Sequence, residues 1–185
     1  PYEYNLPLLD LDGFDQNKFN DWLTKNNYYF FYTIHSTIKP NLLLNNTDRI
    51  KFINLNDYPL FDINEFMNEV DILLNDYSAT TTDYALLNRA QVFCMPDYEK
   101  YWNYEGVSFI PIDEEASNYR DILPGPEVKN FNELLESFIK ISNNYIAHTD
   151  HYKSQSRNIL DKFYNIRNTH SVGNIYTLIK NIISS

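Results

Sequence analysis

Apolar residues along this chain fall into short runs divided by polar, Asn-rich stretches, and their spacing changes from run to run. The stretches 28–34, 50–53, 72–74 and 90–95 are compact apolar or aromatic runs of strand length. Others follow the helical period. Phe19, Trp22 and Leu23 lie behind Asp15 as N-cap and before the stop signal Asn26-Asn27. Ile63, Phe66, Met67 and Val70 form a second stripe, and Tyr84, Ala85 and Leu87 a third. Leu134, Leu135, Phe138 and Ile139 follow the pair Asn130 and Glu133, which has capping-box spacing. Two more helices fit 155–166 and 172–183, a further edge strand fits 107–110, and Pro124-Gly125-Pro126 marks a turn. Strands alternating with helices predict an α/β fold: a Rossmann-like open parallel sheet with right-handed crossovers and helices on both faces. Residues 1–14 are aperiodic, broken by Pro7 and Gly13, and read as a lead-in or linker. Residues 15–185 form the domain, with C-terminal helices over 131–183.

The stretch from Asp71 to Leu87 organises the rest. A buried strand, Ile72 to Leu74, stops at polar residues and passes at once into a helix. Ligands of open α/β sheets bind at the carboxyl ends of such strands. The turn offers the hydroxyls of Ser78, Thr80, Thr81 and Thr82 together with the N–H groups of a helix's first turn. Both suit a phosphate. The same residues also fit plain capping, because Thr80-Thr81-Thr82-Asp83 has the [ST]-x-x-[DE] pattern. Asp83 reads as structural in either case, since a carboxylate aimed at a phosphate would repel it.

Composition narrows the classes. The chain has 185 residues, 43% of them hydrophobic and 16% aromatic, which suits one domain with a real core. A formal net charge of −10 leaves no basic stripe for a nucleic-acid backbone. A phosphorylated ligand must therefore be held locally. Cys94, the single cysteine, sits in an apolar run and reads as a small core residue. No stretch has the apolar length of a membrane span, and no signal peptide is visible. No Cys/His cluster has metal-ligand spacing; His148, His151 and His170 read as surface residues, and Asp113-Glu114-Glu115 as a solvated loop.

The order of features is specific. A strand ends in His35; Asp71-Ile72-Leu73-Leu74-Asn75-Asp76-Tyr77-Ser78 leads to Asp83-Tyr84; then come Arg89-Ala90-Gln91-Val92-Phe93, the aromatic Tyr98-Glu99-Lys100-Tyr101, and Pro124-Gly125-Pro126-Glu127-Val128 before Phe131-Asn132-Glu133-Leu134. This resembles the carboxyl-terminal half of the CDP-glycerol glycerophosphotransferases, which make teichoic acids and related glycerol- or ribitol-phosphate capsules. The resemblance runs from about Asp15 to the end.

It implies the nucleotide-donor domain of a GT-B-like enzyme that moves glycerol or ribitol phosphate from CDP-glycerol or CDP-ribitol to an acceptor hydroxyl, releasing CMP. In such enzymes the strand-end histidine, here His35, lies at the donor phosphates as the catalytic residue. Asp76, Ser78 and the amides of Ala79, Thr80 and Thr81 lie beside it, with Lys39, Pro124 and Gly125 as supports. No cofactor is expected, since the CDP-alditol is a substrate, and no residue is assigned to a metal. A polymer or lipid-linked acceptor would bind through an N-terminal domain that this chain lacks, so the chain alone is expected to be inactive. The family works at the cytoplasmic face of the membrane, and any membrane contact is expected through regions outside this chain. Three positions depart from the family pattern. Ala79 replaces a second Ser, Thr33 stands where a cation precedes the His, and Glu105-Gly106-Val107-Ser108-Phe109 lacks an Arg. Two alternatives stay open: the donor domain of another GT-B-like transferase using a CMP- or UDP-sugar, and a nucleotide-binding domain without catalysis.

Overall fold

The computed structural model describes residues 7–33, 44–58, 60, 62–102, 119–164 and 171–183. Helix α1 (Gln16–Lys25) starts where expected, the Asp15 carboxylate accepting from the Lys18 N–H at 3.0 Å. It buries Phe19 and Leu23 and ends at Asn26. Asn27 then adopts a left-handed conformation (φ 57°), which Asn tolerates better than most residues. The chain reverses into β1 (Phe30–Tyr32), whose parallel partner is β2 (Ile50–Phe52). Helix α2 (Ile63–Met67) leads to β3 (Ile72–Asn75), α3 (Thr80–Ala85), β4 (Ala90–Cys94) and α4 (Tyr98–Trp102). The chain closes with β5 (Glu127–Val128) and helices α5 (Phe131–Asn143), α6 (Tyr145–His151), α7 (Lys153–Phe163) and α8 (Ser171–Ile183).

Every strand pair among the described residues is parallel, as the alternating pattern required. The ladders form a two-stranded sheet, β1-β2, and a three-stranded sheet, β3-β4-β5. One apolar cluster spans both, with Tyr32 and Ile50 from the first sheet and Ala90, Val92, Cys94 and Val128 from the second. The strand at the centre is β4. All five of its residues are buried, whereas Ile72, Leu73 and Leu74 of β3 are only half-buried. Cys94 is a core residue, and burial pushes its thiol well above the ordinary range.

Several elements differ from the sequence expectation. The segment read as a lead-in contributes Leu8 and Leu11 to the core, from a single 3-10 turn (Pro7–Asp10) and the residue after it, too short to show a periodicity. Its backbone also joins the domain, since Asp12 O accepts from the Phe131 N–H at 3.0 Å. Strand β5 is too short to stand out after the turn that precedes it. Helices α4 and α6 are short, and α6 starts on Asn144, whose side chain accepts from the Ala147 N–H. His148 is half-buried rather than a surface residue. Burial, and then the neighbouring His151, push its imidazole below the usual range. The edge strand expected over 107–110 lies outside the described residues. Asn130 and Glu133 cap α5 as predicted: Asn130 Oδ1 accepts from the Glu133 N–H at 3.0 Å, and the Glu133 carboxylate accepts from the Lys129 N–H at 2.8 Å.

The Pro124-Gly125-Pro126 turn has a steric purpose. A Cβ on Gly125 would lie 2.0 Å from the Gln91 carbonyl oxygen and 3.3 Å from the Phe93 ring, so only glycine lets the turn close on β4. The Phe93 N–H then donates to Pro126 O at 2.8 Å, opening the β4–β5 ladder. Gly125→Ala is expected to cost about 3 kcal/mol, the upper range for overpacking, and so to lower Tm by roughly 6–12 °C. Gly173→Ala serves as the control, because nothing lies within 4 Å of the added methyl in α8. It should be neutral, or stabilising by up to about 1 kcal/mol. Equal melting temperatures for the two variants would show that the β4–β5 contact is looser than described.

Candidate functional site

Strand β3 ends at the buried Asn75, and the next four residues turn the chain into α3. Asn75 is the floor of this turn. Its Nδ2 donates to Ser78 O at 3.1 Å and also reaches the Thr81 hydroxyl. From β4, the fully buried Gln91 donates through Nε2 to Thr81 O at 3.2 Å. Asp76 Oδ1 accepts from the Ser78 N–H at 3.0 Å, a local side-chain-to-backbone turn. The outcome is a fixed platform that shows solvent a pair of hydroxyls, Ser78 Oγ and Thr80 Oγ1, 2.9 Å apart.

Two expectations about this turn are corrected. The first-turn amides are not open donors. The Thr80 N–H is bonded to Ser78 Oγ at 3.3 Å, Thr81 N–H to Ser78 O at 3.2 Å, and Thr82 N–H to Ala79 O at 2.9 Å. The turn is tight enough to satisfy them internally. Nor do Thr80 and Asp83 form a capping box. The N-cap residue of α3 is Ala79, which makes no side-chain cap, and the Asp83 carboxylate accepts a hydrogen bond from the Tyr164 hydroxyl at the end of α7. Asp83 is structural, as read, but its partner lies 81 residues away.

The predicted residues divide as follows. Ser78 and Ala79 are exposed, and Thr80 and Asp76 are partly so. Thr81 is 3% exposed with its hydroxyl turned to Asn75, so it builds the turn from inside. Pro124 and Gly125 are buried, and Gly125 closes against Gln91 near the start of β4. They precede β5 and follow Leu123, which packs with Phe93, Met95, Tyr77 and Tyr98 in a small cluster behind the turn. His35 and Lys39 lie outside the described residues, as does the segment around Glu105; Thr33 is described, just beyond the end of β1.

Tyr77, Tyr98, Tyr101 and Asp97, none of them among the predicted site residues, wall this edge. The Tyr77 ring stacks on Tyr101 at 3.6 Å with a 7° interplanar angle, and its hydroxyl donates to Asp97 Oδ1 at 2.8 Å. Burial, followed by the carboxylates of Asp76 and Asp97, holds the Tyr101 hydroxyl above its ordinary pKa. Arg120 brings a cation to this wall. Its guanidinium lies 3.7 Å over the Tyr98 ring and grips the Glu127 carboxylate at 2.7 and 2.8 Å. Arg49 is committed elsewhere, 4.3 Å over the Tyr29 ring. A separate cleft of about 160 Å³ lies between α3 and α7, lined by Ala85, Leu86, Asn88, Lys153, Ser156, Arg157 and Leu160; none of the predicted site residues that the structure describes faces it.

Comparison with known proteins agrees with this architecture. The model of the CDP-Glycerol:Poly(glycerophosphate) glycerophosphotransferase family matches residues 9–181. The chain is similar to the teichoic acid glycerol-phosphate primase of Bacillus subtilis (strain 168), with 25% identity over 98% of this chain and 42% of the relative. The teichoic acid ribitol-phosphate polymerase TarL of Staphylococcus aureus (strain NCTC 8325 / PS 47) is 24% identical over 61% of this chain and 18% of its own length. In fold the chain is similar to the wall teichoic acid polymerase TagF, with TM-score 0.66 and 24% identity over 98% of this chain and 39% of that structure. A TagF variant soaked with CDPG gives TM-score 0.62, with 24% identity over 90% of this chain and 38% of its own. The chain thus spans about two fifths of the primase and of TagF. The fold is the α/β, GT-B-like one of TagF. With its family model matched over residues 9–181, the chain belongs to the CDP-glycerol:poly(glycerophosphate) glycerophosphotransferase family.

Proposed function

We propose that this chain is the donor-binding unit of a glycerophosphotransferase, and that the turn from Asp76 to Thr80 receives the phosphates of a CDP-alditol. The observation that carries this reading is the exposed Ser78–Thr80 hydroxyl pair, held on a rigid turn at the carboxyl end of a parallel strand. Hydroxyls can donate to phosphate oxygens and rotate to suit them. Ser78 Oγ is held by Thr80 and by a long bond from the Thr80 N–H, both of which a phosphate oxygen could displace. Asp97 is engaged by Tyr77 and Asp76 by the Ser78 N–H, which keeps both carboxylates occupied within the wall.

In the reaction, an acceptor hydroxyl attacks the β-phosphorus of the donor. The bond from that phosphorus to the bridging oxygen breaks, CMP leaves, and the acceptor proton passes to a base. His35, in protonated form, would hydrogen-bond the departing α-phosphate, and Lys39 would add charge there. The donor is a substrate and not a resident cofactor. The relatives' names include both glycerol-phosphate and ribitol-phosphate enzymes, so CDP-glycerol and CDP-ribitol are both candidate donors. Acceptor binding and the base that activates it are assigned to that part of the relatives' length which this chain does not match. We place the work at the cytoplasmic face of the membrane; among the described residues no helix is long and apolar enough to cross it.

Calorimetric titration with CDP-glycerol and thermal melts test this assignment. Ser78→Ala should weaken binding by about 1–2 kcal/mol, the scale of a hydrogen bond to a charged group, with little change in Tm. Asp83→Ala should do the reverse: loss of the Tyr164 bond lowers stability by about 1 kcal/mol and leaves affinity intact. Unchanged affinity for Ser78→Ala would place the donor elsewhere. Tight binding of a UDP-sugar, with none of a CDP-alditol, would favour a different transferase.

A further inference from the structure

Tyr77 sits between the two polar residues of the donor turn and is half-buried against the wall formed by the residues after β4. One ring face is covered by Tyr101 at 3.6 Å and nearly parallel, and the hydroxyl is tied to Asp97 Oδ1 at 2.8 Å. Both partners belong to one rigid piece. The Tyr101 N–H donates to Asp97 O at 2.9 Å, so the stack and the hydrogen bond are set by the same turn of helix. That helix follows β4 after only Met95, Pro96 and Asp97, and β4 pairs with β3 in the register Asn75↔Phe93. The chain therefore closes a ring: β3, Tyr77, α4, β4 and back to β3. Tyr98 extends it, since Arg120 lies over its ring and holds Glu127 at the start of β5. The carboxyl ends of β3 and β4 and the start of β5 are laced together by aromatic and ionic contacts, with Tyr77 as the link that touches the turn.

We propose that Tyr77, clamped by Asp97 and Tyr101, is a positioning residue that sets the Ser78–Thr80 hydroxyl pair for the donor phosphates. This deepens the donor-site reading above and rests on it. A hydrogen bond fixes direction as well as distance. Ser78 is the next residue, so a rotation of the Tyr77 peptide unit moves its Oγ directly. Asn75 fixes the turn from below at Ser78 O, and the clamp fixes it from the side. A tyrosine that only filled space would need its ring but not its hydroxyl.

The test is an NMR titration of CDP-glycerol into this chain, carried to millimolar ligand, for wild type, Y77F, D97N, S78A and the double variant Y77F/S78A, each with a melting curve. Y77F keeps the ring and loses the anchor, and is expected to weaken binding 3- to 10-fold at nearly unchanged Tm. D97N keeps an acceptor oxygen for the Tyr77 hydroxyl and should stay within 2-fold of wild type. In the S78A background, Y77F should cost less than 2-fold more, because its effect runs through Ser78. Should Y77F melt early, D97A takes its place as the variant that removes the anchor from the other side. Affinity lost only in proportion to Tm, or the full Y77F loss persisting on top of S78A, would overturn the positioning role while leaving the donor site standing. No binding by wild type, or no effect of S78A, would overturn the donor-site reading and this inference with it.

Discussion

The structure depends on a buried pair of side-chain amides beneath the β3–α3 turn. Asn75 and Gln91 are 8% and 0% exposed, and both donate upward, to Ser78 O, the Thr81 hydroxyl and Thr81 O. A buried amide left without partners costs about 1–3 kcal/mol, so these donors hold the turn in the one geometry that satisfies them. Gln91 Oε1 is itself buried with no partner among the described residues, a residual cost carried at this position. Polar groups inside an otherwise apolar strand are expensive, and here they fix the loop that presents the hydroxyls.

From that constraint the rest of the edge follows. Gln91 lies on β4, the strand buried along its whole length, so the turn is referenced to the most buried strand of the sheet. The Gln91 carbonyl is also the atom against which Gly125 closes, which brings β5 and the Pro124-Gly125-Pro126 turn to the same residue. Arg120 and Glu127 carry the connection to Tyr98, and Tyr77 returns it to the turn. A single strand residue is therefore braced on two sides, and the motif residues that are far apart in sequence become neighbours.

How much of this could be read from sequence depends on the distance between partners. Asp15 over Lys18 and Asn130 over Glu133 are local caps, visible as spacings, and both are present. The β3–α3 unit was legible because a short apolar run meets a helical stripe. The partner of Asp83 was not, because Tyr164 comes from a different helix and no local pattern announces it. The burial of Leu8 and Leu11 comes from joining the main apolar cluster rather than from any period of their own. Gln91 carries no local pattern of its own; only the fold shows that its amide supports Thr81. Within the site, Ser78 is exposed and Thr80 partly so, while Thr81 is turned inward by Asn75. His35, whose role came from family resemblance, lies outside the described residues.

The central claim is that donor phosphates meet the chain at Ser78 and Thr80. It is tested most directly by the structure of this chain crystallised or soaked with CDP-glycerol. The account predicts a phosphate oxygen within hydrogen-bond distance of Ser78 Oγ or Thr80 Oγ1, with the Asn75 and Gln91 bonds beneath the turn unchanged. A ligand seated instead in the cleft between α3 and α7, against Lys153 and Arg157, with the Ser78–Thr80 pair still solvated, would contradict it.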